Sequence, residues 1–407
     1  MRAGPGRTGI LAAIACALCM GFGLAPMFIG TFPVFFPPVT NAYEWDASLF
    51  PQALLLAGVA GALASPIAGR MMDRFGTREV LLPALVGWAA ALAALRFVDA
   101  SRVRLYADAI AIGVTGASCG PVALAKVVSS WFDRGRGVAL GLVLSAAPAA
   151  STALAILIAN NLVVSFGWQT AYLWLAAPII VVPLPFCFFF LHEADAAPDM
   201  PTDTPTPMPG LAPSQALRTR SFWMVLLAVG LCCGAINGVI GHLLPWSGQL
   251  GIDPKLVTGA LSIFSLAGPV GSLAAGWVAD HARTPRALSV FFLVPLAGAG
   301  LLFTLPLAAV PALILMGIGF SATSGLLPYL ATRYFGVAHA AEIFGISVGL
   351  STLMMGGGPV IIGFMVGMTG GHYLPLMLPV AAAIAIGFAL SLALPPYAVA
   401  HEQRGLA

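Results

Sequence analysis

A ten-residue segment with regularly spaced glycine, acid and base lies between two long apolar stretches: Gly69-Arg70-Met71-Met72-Asp73-Arg74-Phe75-Gly76-Thr77-Arg78. Its glycines permit a tight turn and close approach of neighbouring helices, because glycine has no Cβ. Asp73 supplies one anion, and Arg74 and Arg78 supply cations that can pair with it or with helix ends. The flanking stretches 48–69 and 80–97 have about the length of membrane-spanning helices. The segment therefore predicts a loop that joins two transmembrane helices.

The composition of the whole chain agrees with a membrane protein. Of 407 residues, 59% are apolar and 8% are charged, whereas about a quarter of an average soluble domain is charged. Fifteen acids and eighteen bases are too few to cover a water-exposed surface of this size. A membrane β-barrel would show segments of about ten residues with alternating polarity, and the apolar runs here are longer and continuous. These features predict an all-α membrane protein.

Charged residues and Pro/Gly pairs delimit twelve predicted transmembrane helices in two groups of six. The first group covers 9–38, 48–69, 80–97, 105–129, 137–160 and 168–190, and the second covers 221–244, 257–279, 286–305, 309–330, 342–365 and 373–394. The first apolar run is longer than a signal sequence and has no clear small-residue cleavage site, so we assign it to helix 1.

A proline-rich, acidic stretch separates the two groups of helices. Such a composition cannot bury a core or hold a helix, so it predicts a disordered linker, either a plain tether or a regulatory docking tail. The predicted domains are thus a six-helix bundle over 1–191, a cytoplasmic linker over 192–220 and a second six-helix bundle over 221–407.

The distribution of Lys and Arg predicts the orientation. An even number of spans places both ends on one side, and with both termini in the cytoplasm fourteen Lys and Arg residues lie inside and four outside. This distribution follows the positive-inside rule. We therefore expect a multi-pass protein of the bacterial inner membrane with cytoplasmic termini.

Several functional classes receive no support from the sequence. The basic residues form no long run, which argues against a nucleic-acid partner. No Walker loop, catalytic triad or cluster of metal ligands is present, so we expect no enzyme activity, no metal and no cofactor. The cysteines lie in apolar segments, where a thiol acts as a small hydrophobe, and Cys16-Ala-Leu-Cys19 has redox spacing without the βαβ context that such a motif needs.

The segment from Gly69 to Arg78 resembles the signature loop of the major facilitator superfamily, Gly-x-x-x-Asp-Arg/Lys-x-Gly-x-Arg/Lys. All five positions match, and Glu79 stands where the family often has a further base. A weaker copy begins 207 residues later (276 minus 69) at Gly276, with Asp280 retained and Arg283 in place of the second glycine. This spacing, about half the chain, is what a duplicated six-helix unit predicts.

A further resemblance points to the branch that contains oxalate/formate antiporters and monocarboxylate transporters. Trp131-Phe132-Asp133-Arg134-Gly135-Arg136-Gly137 is similar to that branch's segment after helix 4, and the order of Tyr334-Phe335-Gly336, Gly358-Pro359 and Thr369-Gly370-Gly371 is similar to its helix 10 to 12 region. The resemblance implies a secondary active transporter that moves a small organic solute, a monocarboxylate or related acid, by alternating access with proton or solute coupling.

The departures from this branch keep other functions open. Its carboxylate-binding members are credited with a basic residue in helix 8 and sometimes in helix 11, but 257–279 and 343–368 contain neither Lys nor Arg. Export of a hydrophobic compound by an antiporter is the alternative within transport. A membrane solute sensor that does not transport is the alternative from another class.

The resemblance also suggests roles for particular residues. Asp73 and Arg74 would hold cytoplasmic helix ends together, within a gating motif of Gly69, Asp73, Arg74, Gly76, Arg78, Asp280 and Arg283. Helices 1, 4, 5, 7, 8, 10 and 11 face the pathway in this family, which makes the mid-depth polar residues candidates for substrate contact. These are Ser145, Asn237, Ser265, Ser324 and Ser351, and Lys126, about one turn from the inner end of predicted helix 4, is a further candidate for contact with an anionic substrate. Lys126 could instead extend to the head groups, and the neutral residues could bond within their own helices.

Two titratable residues are candidates for proton coupling. Asp108 lies in predicted helix 4, where a simple pair with Arg104 one turn earlier is the competing interpretation. His242 titrates in a useful range, but it precedes Pro245 and Trp246 near a helix end, which also fits an interfacial histidine. We expect the partners to be a small-molecule substrate, membrane lipid and protons, with the chain acting as a monomer.

Overall fold

The computed structural model describes residues 7–132, 136–192, 211–249, 251–282, 284–305, 308–335 and 340–396. All regular secondary structure in these ranges is helical, as the composition predicted.

The helices of the first half alternate α-helical segments with short π and 3-10 turns. They are α1 Arg7–Gly21, a π turn Ala25–Ile29, α2 Phe32–Ala42, α3 Leu49–Phe75, α4 Thr77–Ala94 with a 3-10 turn Leu95–Phe97, α5 Arg102–Ser118, α6 Pro121–Trp131, α7 Arg136–Gly141, a π turn Leu142–Ala146, α8 Ala147–Phe166, α9 Trp168–Val181 and α10 Pro183–Phe190.

The helices of the second half are longer and less interrupted. They are α11 Pro213–Ala216, α12 Arg220–Gln249, α13 Pro254–His281, a 3-10 turn Pro285–Ser289, α14 Val290–Thr304, α15 Ala309–Phe335, α16 Ala340–Met368, a 3-10 turn Leu374–Leu376 and α17 Met377–Leu392.

Eleven helical segments in the described ranges are long and apolar enough to cross a membrane. Each coincides with one of the twelve predicted helices. The predicted fourth helix, over 105–129, is wrong as a continuous segment, because the chain is interrupted there between α5 and α6. Gly120 has an extended backbone (φ −81°, ψ −178°), and Pro121 has no N–H to continue the helical hydrogen bonds.

The chain forms two compact units. One comprises 1–196 together with 241–266, and the other comprises 197–240 together with 267–407. The domain boundaries expected from the sequence, at 191 and 221, stay a prediction. The described structure gives each unit an apolar core, and all six cysteines are buried and free.

Glycines allow pairs of helices in each unit to pack with their backbones in contact. In the first unit, a Cβ at Gly113 of α5 would overlap the carbonyl of Ala57 in α3. In the second unit, a Cβ at Gly271 of α13 would overlap the carbonyl of Ile318 in α15. Only glycine fits at either position without a shift of the neighbouring backbone.

Candidate transport pathway

The first membrane segment is interrupted between α1 and the π turn Ala25–Ile29. Pro26 has no N–H, so the carbonyl of Phe22 loses its usual helical donor. The indole Nε1 of Trp88 in α4 donates to that carbonyl at 2.9 Å. Trp88 is fully buried, and a carbonyl left unpaired in this apolar surrounding would be costly. The break in the first segment is therefore stabilised by a residue of another helix.

The fourth membrane segment is interrupted next to the first. The thiol of Cys19 in α1 donates to the carbonyl of Cys119, at the end of α5, across 3.9 Å. A Cβ on Gly116 would lie 3.1 Å from the side chain of Leu24 and 3.3 Å from the Trp88 ring. Two interrupted helices thus meet at one level of the first unit, a feature associated with substrate sites in secondary transporters.

The fifth membrane segment contributes a second π turn, Leu142–Ala146, beside α1. Single π turns within helices occur frequently at functional sites. Ser145, a predicted pathway residue, lies in this turn and is half-buried. Ser151 in the following α8 faces α1, because a Cβ on Gly21 would lie 2.6 Å from its Oγ. Both serines therefore lie on elements that contact the first membrane segment.

The start of α6 carries the electrostatic character of this region. The first N–H groups of a helix have no intrahelical partners and give that end a partial positive charge. The α6 backbone places Lys126 in its second turn, although the side chain of Lys126 lies outside what the structure describes. The role predicted for Lys126 stays a prediction.

The other neutral candidates are divided between the two units. Ser265 in α13 belongs to the first unit, and its hydroxyl donates to the carbonyl of Leu261 at 3.3 Å. In the second unit, Asn237 of α12 is half-buried, Ser351 of α16 is buried, and the hydroxyl of Ser324 in α15 donates to the carbonyl of Ser321 at 3.3 Å. Ser265 and Ser324 thus bond within their own helices, the alternative that we had kept open for them.

Asp108 does not form the simple pair with Arg104 that we considered. The Nη1 of Arg104 lies 4.0 Å from the Oδ2 of Asp99, in the loop before α5. The Oδ2 of Asp108 is buried and has no hydrogen-bond partner among the described residues.

At the same end of the unit the hydroxyl of Tyr43 donates to the carbonyl of Val98 at 2.6 Å. Burial, and secondly the carboxylate of Asp99, raise the pKa of Tyr43, so this hydroxyl keeps its proton at neutral pH.

His242 is not exposed at an interface. It is 2% exposed and lies edge-on against the ring of Phe36, with 4.8 Å between centroids. Phe36 belongs to a cluster of stacked rings with Phe32 and Phe50. The structure therefore places His242 in the aromatic core of the first unit, and its role in proton coupling stays a prediction.

The predicted gating loop joins α3 to α4 through a single residue. Gly76 has φ +94° and ψ 147°, a conformation that favours glycine, and its N–H donates to the carbonyl of Met72 at 2.9 Å. Arg74 is exposed with its guanidinium carbon 5.1 Å from the centre of the Phe75 ring. The side chains of Asp73 and Asp280, and the whole of Arg283, lie outside the described structure, so the predicted contacts of these residues stay predictions.

Sequence reasoning did not identify the role of Trp88. An aromatic residue in an apolar segment suggests contact with lipid or with the pathway, yet Trp88 supplies the hydrogen bond that the first segment lacks. Pro26 is the sequence signal that the carbonyl of Phe22 lacks its helical donor. The sequence does not indicate which residue supplies the replacement, because Trp88 reaches this carbonyl through tertiary packing. By contrast, Trp174 of α9 is 56% exposed. Within the described ranges, no group of three or more His, Cys, Asp and Glu could hold a metal ion.

Comparison with known proteins places this architecture in a family. The Major Facilitator Superfamily matches over residues 18–359. The 2-nitroimidazole transporter of Escherichia coli K12 is 27% identical over 376 residues, which cover 89% of this chain and 90% of that protein. Human monocarboxylate transporter 11 is 27% identical over 393 residues, or 90% of this chain and 79% of that protein.

A solved structure shows the same fold. A bacterial homologue of the human lysosomal transporter Spinster, in an inward-facing and unoccupied conformation, superimposes with a TM-score of 0.72 at 17% identity. The match covers 96% of this chain and 95% of the other. The family match, the helical architecture and the transporters among its relatives agree: this chain belongs to the major facilitator superfamily, and it is a transporter rather than an enzyme.

Proposed function

We propose that the protein moves a small organic acid of the monocarboxylate class across the bacterial inner membrane by alternating access, coupled to protons or to a counter-solute. The observation that carries this proposal is the meeting of two interrupted helices, α1 and α5–α6, in the first unit. Interrupted helices offer a solute backbone groups that a continuous helix keeps for itself.

The chemistry of this region suits a carboxylate. The first N–H groups of α6 have no partner within their own helix and lie at the positive end of its dipole, and Lys126 follows in the next turn. An anion held there needs no arginine in helix 8 or 11. The similarity to monocarboxylate transporters 11 and 13 supports the same class.

A second candidate is export of a neutral heteroaromatic or hydrophobic compound. Segments 257–279 and 343–368 contain no Lys or Arg, which favours an uncharged solute, and the similarity to a 2-nitroimidazole transporter supports it. Under this alternative, Lys126 contributes little to solute recognition.

Flux measurements in proteoliposomes separate the two candidates. We expect purified protein to accelerate uptake of labelled monocarboxylates under a pH gradient or by exchange, with dicarboxylates and neutral imidazoles competing poorly. Lys126→Gln should raise the KM by about ten- to a hundredfold, because a hydrogen bond to a charged group contributes roughly 1.5–3 kcal/mol. Lys255→Gln is the matched control, since Lys255 is exposed at the start of α13.

Three results would count against the proposal. Flux of neutral imidazoles without flux of any acid would favour the second candidate. An unchanged KM in Lys126→Gln would remove the carboxylate site from α6. Ligand binding without flux in sealed vesicles would indicate a sensor.

A further inference from the structure

We propose that His192 acts as a pH-sensitive switch: in its neutral form it joins three helix ends of the first unit, and in its protonated form it releases them and slows transport. The charge distribution of the chain predicts that this end of the unit faces the cytoplasm. The switch regulates the activity given under the proposed function, on which it rests, and its effect on stability is measurable without a solute.

Two contacts of His192 connect α10 with α4 and α6. His192 lies just beyond the end of α10, and its Nε2 is 3.4 Å from the Nη1 of Arg78 at the start of α4. Its carbonyl accepts a hydrogen bond from the indole Nε1 of Trp131, the last residue of α6, at 2.7 Å. One residue therefore holds together the ends of three helices.

The contact with Arg78 requires a neutral imidazole. A guanidinium has five N–H donors, no acceptor and a permanent charge, so the Nε2 of His192 is the acceptor. A ring nitrogen accepts only when it carries no proton, which places the single proton of the neutral ring on Nδ1. Protonation of Nε2 removes the acceptor and adds a second positive charge, so that His192 and Arg78 repel each other.

Arg78 is held in place, whereas His192 is free to leave. The guanidinium carbon of Arg78 lies 4.7 Å from the centre of the Phe188 ring, a distance at which a cation is attracted to the face of an aromatic ring. Arg78 is half-buried, but His192 is exposed. Repulsion therefore displaces His192, and its carbonyl moves away from the indole of Trp131.

Among the described side chains, Arg78 is the charged group that meets His192. α10 packs against α1, α4 and α9. α9 contains no acid, base or histidine, and the charged residue of α1, Arg7, is exposed at the first position of that helix. Glu79 of α4 is exposed, and no described carboxylate forms an ion pair with His192 or Arg78. The nearby side chains that lie outside the described structure are those of Lys126, Asp133, Arg134 and Arg136.

The release of Trp131 affects the helix to which we assign the anion site. Trp131 ends α6, and Lys126 lies in the same helix, roughly 7.5 Å away along its axis at 1.5 Å per residue. A contact that exists in one protonation state only shifts the balance between conformations of α6. An importer that carries an acid together with a proton acidifies the side to which it delivers. The switch would then slow import as the acid accumulates.

Solute exchange at equal pH on both sides of proteoliposomes tests the switch without a proton gradient. Between pH values of about 7.5 and about 5.5, the range in which histidine changes charge, wild-type exchange should slow about two- to fivefold, as expected for repulsion between partly exposed charges. His192→Gln keeps an acceptor oxygen but does not titrate, so its exchange should depend much less on pH. His192→Arg carries a permanent charge and should exchange slowly at both pH values.

The matched control is His281→Gln. His281 is an exposed histidine at the end of α13, and its Nδ1 lies 2.8 Å from the carbonyl oxygen of Trp277 rather than beside an arginine. This variant should keep the wild-type pH dependence. The same slowing in acid for wild type and His192→Gln would overturn the proposal.

The apparent melting temperature in detergent tests the switch independently of the solute. Wild type and His192→Gln should melt at similar temperatures at the higher pH, and wild type should melt about 1–2 °C lower than the variant at the lower pH. This difference without exchange of any acid would refute the proposed function and leave the switch intact. If no exchange is measurable, an equal melting difference at both pH values would overturn the switch.

Discussion

Each half of the chain contains a pair of closely packed helices, and the glycine that permits the contact lies on a different helix of the pair in each half. In the first half, Gly113 on the fourth membrane segment meets the backbone of α3. In the second half, Gly271 on the eighth segment meets the backbone of α15, so the glycine lies on the other helix of the corresponding pair. Gly61 and Gly268, which are 207 residues apart, both lie at these contacts. The duplication thus preserves the distance between two helices rather than the position of one residue.

The first helices of the halves differ more strongly. The first segment is interrupted after α1, whereas α12 runs unbroken from Arg220 to Gln249. Trp88 supplies the hydrogen bond that the interruption requires, and 207 residues later Pro295 stands in its place, packed against Gly319. A side-chain donor therefore supports the first segment at its interruption, whereas Pro245 of α12 lies within a continuous helix.

The largest expected effect comes from filling the two close contacts. Gly113→Ala and Gly271→Ala should each destabilise the protein by about 1–3 kcal/mol, because a methyl group would overlap a neighbouring backbone carbonyl. The measurement is the apparent melting temperature in detergent by size-exclusion chromatography after heating.

The matched control for this pair is Gly276→Ala, in the same helix as Gly271 but with open space around the added Cβ. If either variant has the same apparent melting temperature as the Gly276→Ala control, the stability of that half does not depend on its glycine. The proposed equivalence of the two contacts then fails.

A smaller effect is expected at the loop between α3 and α4. Gly76→Ala should cost about 1–2 kcal/mol, because a side chain is strained at φ +94° although no atom lies within 4 Å of the added Cβ. Gly69→Ala, at a helical position with open space in the same loop motif, should be neutral or stabilising. Equal melting temperatures for the two variants would show that the loop tolerates another backbone conformation.

A further effect is expected from Trp88→Phe, which keeps an aromatic ring but leaves the carbonyl of Phe22 without its donor. The loss should be about 1–3 kcal/mol because a buried acceptor becomes unpaired, with slower solute flux because the interrupted segment loses its support. Trp174→Phe serves as the control, since Trp174 is largely exposed. If Trp174→Phe lowers stability and flux by the same amount, the hydrogen bond from Trp88 to Phe22 does not stabilise the interrupted segment.

The helical membrane fold could be predicted because it depends on composition. Scarce charges and long apolar runs leave few alternatives, and eleven predicted helices correspond to helical segments in the structure. The break at Gly120-Pro121 was missed, although a Gly-Pro pair is a local signal for interruption. Its apolar neighbours on both sides favoured a continuous helix.

The candidate pathway could be predicted only in part. Polar residues such as Ser145 stand out in an apolar sequence, since a polar side chain within the membrane usually forms a hydrogen bond or contacts a substrate. The partners of Phe22 and Cys119 could not be predicted, because Trp88 and Cys19 are distant in sequence and reach these carbonyls through tertiary packing. Likewise, nothing local indicates that Arg104 pairs with Asp99 rather than with Asp108.

The burial of all six cysteines makes the native sequence a convenient background for site-directed labelling. A water-soluble maleimide reacts with exposed thiolates, so the folded wild type should remain unmodified. A single cysteine introduced on α5 or α6 would then report its own accessibility as solute is added. Changes in the accessibility of these two helices could be followed without first replacing any native residue.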